Sequence, residues 1–379
     1  MKAVFVHDHK FRVFKGNYYT PGGLSDKVLE RYTDTFGNLT VVSRILKTDT
    51  SDGFIPIQNK HITFIKSSIG NIKKVIKDAD YIILRVPSIN ALIAMYYAKK
   101  YKKKVLVEVV ACTWDSVWFH SIKGKILALP YTILTKTLIY YSDYVLYVTD
   151  KFLQERYPTR GKQVSCSDVV LANQSDIKNI LFNRERKIRD YMKRDRIVLV
   201  SVGTIDSKVK AQERVIKALN YFKKSDNLKY EYWLIGGGSN ERLMKWIIKY
   251  GLEDNVKMFG ALPQNEVINK LKKADIFIQP SKTEGLPRAL IEAMSIGMPS
   301  IGSKAGGIKE LLNENYLFSN SIIAPKNLVG ILKGLTEEKL RLASTENYLK
   351  SKEYNYMLLE RKRREFFNAY KLDVEKKRG

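Results

Sequence analysis

The stretch TEGLPRALIEAMSIGMPSI, residues 283–301, carries two glutamates, Glu284 and Glu292, on either side of a Gly-Leu-Pro turn. Pro287 suits the first position of a helix, because its φ is fixed and its missing N–H costs nothing there. Glu284 then lies in the loop before the helix, and Glu292 lies about one and a half turns into it. Carboxylates placed in this way do not form an acid–base pair on one helix face.

The start of this helix is predicted to bind an anion. The free N–H groups of residues 285–288 and the helix dipole suit a phosphate, and Gly285 lets a ligand approach the backbone closely. A nucleotide sugar fits such a layout, because hydroxyls of the sugar and of the ribose flank its diphosphate. The alternative is that Glu284 caps the helix and Glu292 is a solvated surface residue.

Short apolar segments alternate with helical patterns along the whole chain. Strands are predicted at residues 3–6, 39–43, 81–84, 105–110, 144–148, 197–202, 230–235, 256–259, 276–279 and 300–302. Helices are predicted at residues 24–36, 88–103, 211–222, 240–250, 266–272 and 288–296. This alternation is typical of parallel sheets covered by helices on both faces. We therefore expect an α/β fold with two Rossmann-like domains whose sheets face a central cleft.

The domain boundaries follow from where the pattern restarts. Strand-like sequence resumes at residue 197, after the highly charged FNRERKIRDYMKRDR. We expect a first domain over residues 1–172, a linker over 173–195 and a second domain over 196–351. The last segment, residues 352–379, is predicted to be a helix that packs back on the first domain.

Composition limits the class of protein and its partners. The chain has 379 residues, only two cysteines (Cys112 and Cys166) and a net charge of +27. Two cysteines give no disulfide framework, which indicates a reducing compartment. No apolar run approaches the roughly 18–20 residues that span a bilayer. The positive charge is distributed along the chain, so a nucleic acid, an anionic membrane or a phosphorylated substrate would fit, as would a lysine-rich composition alone.

The longer block ADIFIQPSKTEGLPRALIEAMSIGMPSIGSKAGGIKELL, residues 274–312, resembles the signature of the group 1 (family 4) retaining glycosyltransferases. These enzymes have two Rossmann-like domains, the GT-B architecture. The segments LIGGGSNERLMKWI and NVKMFGALPQNEV match the same family upstream, and the resemblance spans roughly residues 197–318. The motifs WDSVWFH and GKILALP, in the more loosely matching first half, resemble the subgroup that makes capsules and exopolysaccharides.

The resemblance implies roles for residues of the second domain. Glu284 would contact the donor sugar, Glu292 the ribose, and the amides of Gly285 and Leu286 the diphosphate. A basic residue after the first strand of this domain would stabilise the leaving group, and Lys210 matches best, with Lys208 as a competitor. The remaining donor-binding candidates are Gly203, Thr204 (where the family has arginine), Phe259, Gly260 and Pro287.

Candidates in the first domain are fewer. Gly22 and Gly23 open a helix and would form a loop facing donor phosphates or acceptor, or a simple turn. The family's catalytic-site histidine has no direct match, and His120 or Asp115 is expected to line the site instead. A metal at His7 and His9 is disfavoured, because alternate strand residues point to opposite faces. No Asp-x-Asp motif follows a strand, so we expect neither a metal nor a cofactor.

The resemblance thus implies transfer of a sugar from a nucleoside-diphosphate sugar to a saccharide hydroxyl, with retention of anomeric configuration and without a protein nucleophile. The acceptor would be linked to a polyprenyl diphosphate, and the enzyme would be cytoplasmic and peripheral on the inner face of the plasma membrane. Lysines of residues 95–105 and the apolar segment 121–141 suit docking on anionic lipid. Two alternatives stay open: a nucleotide-sugar epimerase of the same architecture, and a basic nucleic-acid-binding protein, which would leave the glutamate pair unexplained.

Overall fold

The structure is a computed structural model that describes residues 1–119, 122–171, 177–189, 191–225 and 229–376. The chain divides into two compact units. The first comprises Met1–Trp118, Lys125–Cys166 and Leu359–Gly379, and the second comprises Phe119–Gly124 and Ser167–Leu358. Each unit is an α/β domain built on a mainly or wholly parallel sheet, as the alternation of elements predicts.

The described residues of the first unit form nine strands. They are β1 (Ala3–Phe14), β2 (Asn17–Thr20), β3 (Leu39–Lys47), β4 (Ile55–Ile57), β5 (Ile62–Lys66), β6 (Tyr81–Val86), β7 (Leu106–Val109), β8 (Tyr144–Tyr147) and β9 (Lys162–Ser165). Its helices are α1 (Asp26–Phe36), α2 (Ile69–Asp78), α3 (Ile89–Lys100), α4 (Thr113–Trp118), α5 (Ile122–Tyr140) and α6 (Phe152–Arg156), with a further helix from the end of the chain.

The parallel part of the first sheet has the order β5-β3-β1-β6-β7-β8-β9. Strand β1 is longer than the four residues predicted, because it continues past a register shift between Val6 and Lys10. Its far end, Arg12–Phe14, pairs antiparallel with β2, and β2 pairs antiparallel with β4. The sequence pattern missed this extension, because its strands have only four and three residues and bury little surface.

In the second unit, the part of the chain that the structure describes has six strands in the order β12-β11-β10-β13-β14-β15, all paired in parallel. They are β10 (Ile197–Val202), β11 (Tyr230–Ile235), β12 (Val256–Met258), β13 (Ile276–Gln279), β14 (Ser300–Ser303) and β15 (Leu317–Phe318). The helices are α7 (Ile177–Ile188), α8 (Glu213–Lys223), α9 (Glu241–Tyr250), α10 (Gln264–Lys273), α11 (Arg288–Ser295), α12 (Ala324–Lys333) and α13 (Glu337–Ser351). Strands β10, β11 and β13 have the bounds predicted from the sequence.

The segment predicted as a linker, residues 173–195, holds helix α7 and is part of the second unit. Arg184 on α7 is buried and donates a hydrogen bond to the carbonyl oxygen of Ala274 at 2.9 Å. Arg194 forms a bidentate ion pair with Asp275, with distances of 2.9 and 3.1 Å. The charges that suggested a linker therefore attach this segment to the loop before β13, and the main part of the second unit begins at Ser167 rather than at residue 196.

The described part of the last segment, residues 352–379, contains one helix, as predicted, and that helix begins after a short turn. A short 3-10 turn, Lys352–Tyr354, separates α13 from α14 (Tyr356–Glu375). Helix α14 lies in the first unit, where Phe367 is fully buried and its ring centroid lies 5.7 Å from that of Tyr32. The hydroxyl of Tyr370 accepts a hydrogen bond from the N–H of Ile82 at 2.9 Å. The last helix thus completes the core under β6.

Candidate functional site

The second unit holds a polar cluster around Glu284 where β13 ends. One carboxylate oxygen, Oε1, accepts hydrogen bonds from Lys210 Nζ at 2.7 Å, from Ser281 Oγ at 2.7 Å and from Gln279 Nε2 at 3.0 Å. In the described part of the chain, Oε2 accepts no hydrogen bond. Charge-assisted hydrogen bonds of this kind hold a side chain firmly. The cluster therefore orients Glu284 and leaves one of its oxygens available to a ligand.

Two neighbouring loops meet at this cluster because β10 and β13 are adjacent in the sheet. The N–H of Lys282, after β13, donates to the carbonyl oxygen of Val209, after β10, at 2.8 Å. Gly203 has a φ of +152°, and a Cβ there would lie 3.4 Å from the side chain of Lys210. Lys208 is exposed. Of the two lysines that the sequence left open, the structure brings Lys210 to the glutamate.

A third loop, after β14, packs directly on the backbone of the glutamate loop. The N–H of Gly307 donates to the carbonyl oxygen of Gly285 at 3.0 Å. Gly306 has a φ of +50°, and a Cβ there would lie 1.9 Å from the carbonyl oxygen of Glu284. Only glycine allows this approach. The sequence pattern assigned no role to Gly306, Gly307, Gln279 or Ser281, although all four lie in motifs that resemble the family.

The start of α11 follows immediately. Pro287 occupies the position before the helix, which begins at Arg288, and no side chain caps it. Glu284 therefore does not cap the helix, which removes that alternative. Gly285 is buried and Leu286 is partly buried beside it. The first amides of α11 have no partner within the helix, so they can donate to an anion.

Glu292 lies on α11 and is largely buried rather than solvated. Burial raises the pKa of its carboxyl group, while a hydrogen bond from Gln264 and the positive charge of Arg288 lower it in part. A carboxylate kept partly dehydrated in this way interacts more strongly with a hydroxyl group than a solvated one would. The alternative of a solvated surface residue is therefore wrong.

The residues expected around a nucleobase lie at the end of β12. The ring of Phe259 is partly buried and makes an edge contact with Trp233, with centroids 5.3 Å apart. Lys270 Nζ lies 3.8 Å from the centroid of Phe259. Gly260 and Thr204 are exposed. These residues form an open surface with an aromatic and a cationic group, and a planar ring such as a nucleobase can bind to it.

The remaining described candidates, Asp115, Gly22 and Gly23, belong to the first unit. Asp115 lies on α4 and forms a loose ion pair with Arg156 at 3.8 Å. Gly22 and Gly23 precede α1 with φ values of +114° and +78°, and no atom lies within 4 Å of a Cβ built on either. Their role as a turn is thus required by backbone conformation. His120 lies outside the described residues.

The two histidines near the register shift of β1 are largely buried and uncharged at neutral pH. Burial and the nearby charge of Arg85 lower the pKa of His7 to about 3 and that of His9 to about 4. Within the described ranges, no group of three or more histidine, cysteine, aspartate or glutamate side chains is arranged to hold a metal ion.

Comparisons with known proteins agree with the resemblance seen in the sequence. The family model of the group 1 glycosyl transferases matches residues 183–351. Protein CapJ of Staphylococcus aureus is 32% identical over 371 residues, which cover 93% of this chain and 90% of CapJ. The amylovoran biosynthesis glycosyltransferase AmsK of Erwinia amylovora is 36% identical over 167 residues, or 42% of this chain and 39% of AmsK. The colanic acid biosynthesis glycosyltransferase WcaL of Escherichia coli, so named as putative, is 36% identical over 121 residues, or 30% and 29%.

Solved structures share the fold at low identity. HepE of Anabaena, in complex with UDP and glucose, superposes with a TM-score of 0.67 at 16% identity, covering 97% of this chain and all of HepE. Sucrose-phosphate synthase of Thermosynechococcus elongatus gives a TM-score of 0.70 at 13% identity, covering 98% and 100%. WaaG, a glycosyltransferase of lipopolysaccharide biosynthesis, gives 0.62 at 16% identity, covering 96% and 99%.

Proposed function

Because the chain belongs to the group 1 glycosyl transferases, we propose that it transfers a sugar from a nucleoside-diphosphate sugar to a hydroxyl of a saccharide acceptor. The observation that carries the proposal is the cluster in which Lys210, Ser281 and Gln279 all donate to one oxygen of Glu284. The names of AmsK and WcaL support a role in the biosynthesis of a surface polysaccharide.

In the proposed donor complex, the diphosphate binds at the uncapped start of α11, where backbone amides and the helix dipole favour an anion. Glu284 Oε2 accepts hydrogen bonds from hydroxyls of the donor sugar, and Glu292 accepts them from the ribose. Lys210 lies within 2.7 Å of Glu284, so a small movement brings its ammonium group to the diphosphate. Phe259 and Gly260 hold the base.

The proposed chemistry relies on positioning and charge. As the sugar–phosphate bond breaks, negative charge grows on the diphosphate, and Lys210 and the helix start stabilise it. The departing phosphate takes the proton of the acceptor hydroxyl, which attacks from the same face, so the anomeric configuration is retained. No metal or cofactor is needed, because Lys210 and the amides supply the positive charge that a metal would supply elsewhere.

We assign acceptor recognition to the first unit, with Asp115 and the Gly22–Gly23 turn as candidates, and keep His120, which follows α4 in the sequence, as a further candidate. The acceptor is a saccharide linked to a polyprenyl diphosphate, at the inner face of the plasma membrane. The net charge of +27 supports such a location beside anionic lipid. None of the helices in the described part of the chain is both long and apolar enough to cross a membrane.

A donor screen tests the proposal. The protein is incubated with a panel of nucleotide sugars and with lipid-linked saccharides extracted from membranes, and products are detected by mass spectrometry, with and without EDTA. We expect one donor to be consumed in both conditions, with its α or β configuration conserved in the product by NMR. The variant Glu284→Gln should be inactive, and Glu253→Gln, at an exposed position far along the chain, should be active. Epimerised nucleotide sugar without transfer would contradict the proposal.

A further inference from the structure

Helix α5 of the first unit carries its large apolar side chains on the outside. Five of them point to solvent over little more than two turns: Ile126, Leu127, Leu129, Ile133 and Leu134. Ile126 is 76% exposed and Leu127 is 58% exposed. Their helical spacing places them on one side of the helix with the exposed Pro130 and Tyr141, and we call this side the outward face of α5. Contiguous apolar surface of this kind marks an interaction site.

The buried side of α5 has the opposite character over the stretch that carries the outward face. Ala128, Thr132 and Thr135 recur at helical spacing and are buried, and they are small or polar. Large apolar side chains are buried only near the end of the helix, at Leu138 and Ile139. An ordinary surface helix of a globular domain turns its largest apolar residues to the core. Over residues 126–134 helix α5 reverses this arrangement, so packing within the unit does not account for the leucines and isoleucines of that stretch. An apolar partner outside the unit accounts for these exposed side chains.

The charges around the outward face indicate the chemistry of that partner. Between Asp115 and Asp143 the sequence has no acidic residue. Lys125 and Lys136 are exposed and lie eleven residues apart, about three turns, so both line the same border of the apolar face. Lysines at such a border can extend their ammonium groups to lipid phosphates while their stems stay in apolar surroundings.

The basic end of α3, which the sequence also suggested as a membrane contact, is less available. Lys103 Nζ donates to the carbonyl oxygens of Lys77 and Ala79 at the end of α2. Lys104 Nζ pairs with Asp373 at 2.7 Å. Both lysines therefore hold elements of the first unit together, and replacing the lysines of residues 95–105 would disturb the fold. Helix α5 is therefore the better candidate for a membrane contact.

We propose that the outward face of α5 inserts into the headgroup region of an anionic lipid bilayer, with the helix parallel to the membrane plane. A helix of 19 residues is about 28 Å long, so it presents a linear apolar contact without crossing the bilayer. Lys125 and Lys136 lie at the lipid phosphates. A second copy of the chain fits less well, because pairing two such faces would bring lysines together with no carboxylate between them. The inference rests on the proposed location at the membrane and does not depend on the transfer reaction, which the donor screen tests separately.

The test uses a pair of variants with the same chemistry. Leu127→Asp with Leu134→Asp places two carboxylates seven residues apart on the outward face. Leu342→Asp with Leu349→Asp does the same on α13 of the second unit, where the leucines are 54% and 56% exposed. Wild type and both variants are mixed with vesicles of phosphatidylcholine, with and without phosphatidylglycerol, and binding is measured by flotation. Circular dichroism and thermal melting establish that each protein is folded.

We expect wild type and the α13 variant to float with the anionic vesicles and not with the neutral ones. The α5 variant should bind at least about tenfold more weakly, because two leucines leave the apolar face and two carboxylates repel anionic lipid. The proposal would be overturned if the α5 variant bound anionic vesicles as strongly as wild type does. It would also be overturned if wild type did not bind anionic vesicles. A wild-type dimer in sedimentation that the α5 variant abolishes would also overturn it, since the occupant would then be a second copy.

Discussion

Lys210 and Lys208 stand two residues apart, and only Lys210 reaches Glu284. If the lysine stabilises the departing diphosphate, its loss should act on turnover more than on donor affinity. We expect Lys210→Ala to lower kcat by roughly 30- to 1000-fold, the equivalent of about 2–4 kcal/mol in the transition state. Steady-state kinetics on Lys210→Ala and Lys208→Ala measures this. A loss confined to Lys208→Ala would show that the wrong lysine has been assigned.

Glu292 combines a raised pKa with a proposed contact to the ribose. Glu292→Gln should weaken nucleotide binding by about 1.5–3 kcal/mol, because a charged acceptor is replaced by a neutral one. Isothermal titration calorimetry with the donor's nucleoside diphosphate measures the loss, and Glu253→Gln serves as the control. Unchanged affinity in Glu292→Gln would remove this residue from the site.

The same substitution should affect stability in the opposite direction. A carboxyl group whose pKa is raised by folding binds its proton more tightly in the folded state, so its contribution to stability is lost as pH rises through that pKa. Above it, wild type keeps a dehydrated charge that Glu292→Gln lacks. We expect the variant to melt at a higher temperature than wild type at neutral pH, with the difference closing at acidic pH. A difference in melting temperature that does not change with pH would contradict this prediction.

At the scale of elements, the loops after β10, β13 and β14 approach one another so closely that glycine is required. Gly306→Ala would place a Cβ against the carbonyl oxygen of Glu284 and should displace the glutamate loop. We expect a loss of about 1–3 kcal/mol in stability, together with weaker donor binding. Urea unfolding and calorimetry measure the two effects.

Gly330 on α12 is a matched control for this substitution. It is exposed, and no atom lies within 4 Å of a Cβ built there. Gly330→Ala should therefore stabilise the protein by about 0.5–1 kcal/mol, because alanine loses less backbone entropy in a helix, and donor binding should not change. If both variants behave alike, the close packing of the glutamate loop has no functional consequence.

At the scale of the whole molecule, the first unit depends on the far end of the chain. Phe367 on α14 is fully buried against Tyr32 and Phe36. Phe367→Ala should cost about 3–5 kcal/mol. The loss should be seen by hydrogen exchange in peptides of β1 and β6, while peptides of β10 and β13 keep their protection.

Leu372 on the same helix is 56% exposed, and Leu372→Ala should change stability by no more than about 0.5 kcal/mol. Loss of protection spread evenly over both units in Phe367→Ala would contradict the assignment of α14 to the first unit alone.

The sequence was sufficient for the strands that are buried on both faces. Strands β10, β11 and β13 have their predicted bounds, because continuous apolar runs have no other stable environment than the interior of a parallel sheet. It was insufficient for β2 and β4, which are short and bury little, and of which β4 lies at the edge of the sheet. The prediction of a linker over residues 173–195 was wrong, because the sequence does not show that Arg184 and Arg194 bind Ala274 and Asp275.

By itself the sequence determined the α/β class, the two Rossmann-like domains and the family, because these follow from periodicity and from motifs that are contiguous along the chain. Only the tertiary structure decided which lysine meets Glu284, that Gln279 and Ser281 orient it, and that the apolar residues of α5 face outward. Those facts depend on which side of an element faces a neighbour distant in sequence. Local periodicity records that an apolar face exists, but the packing of the other elements decides where that face points.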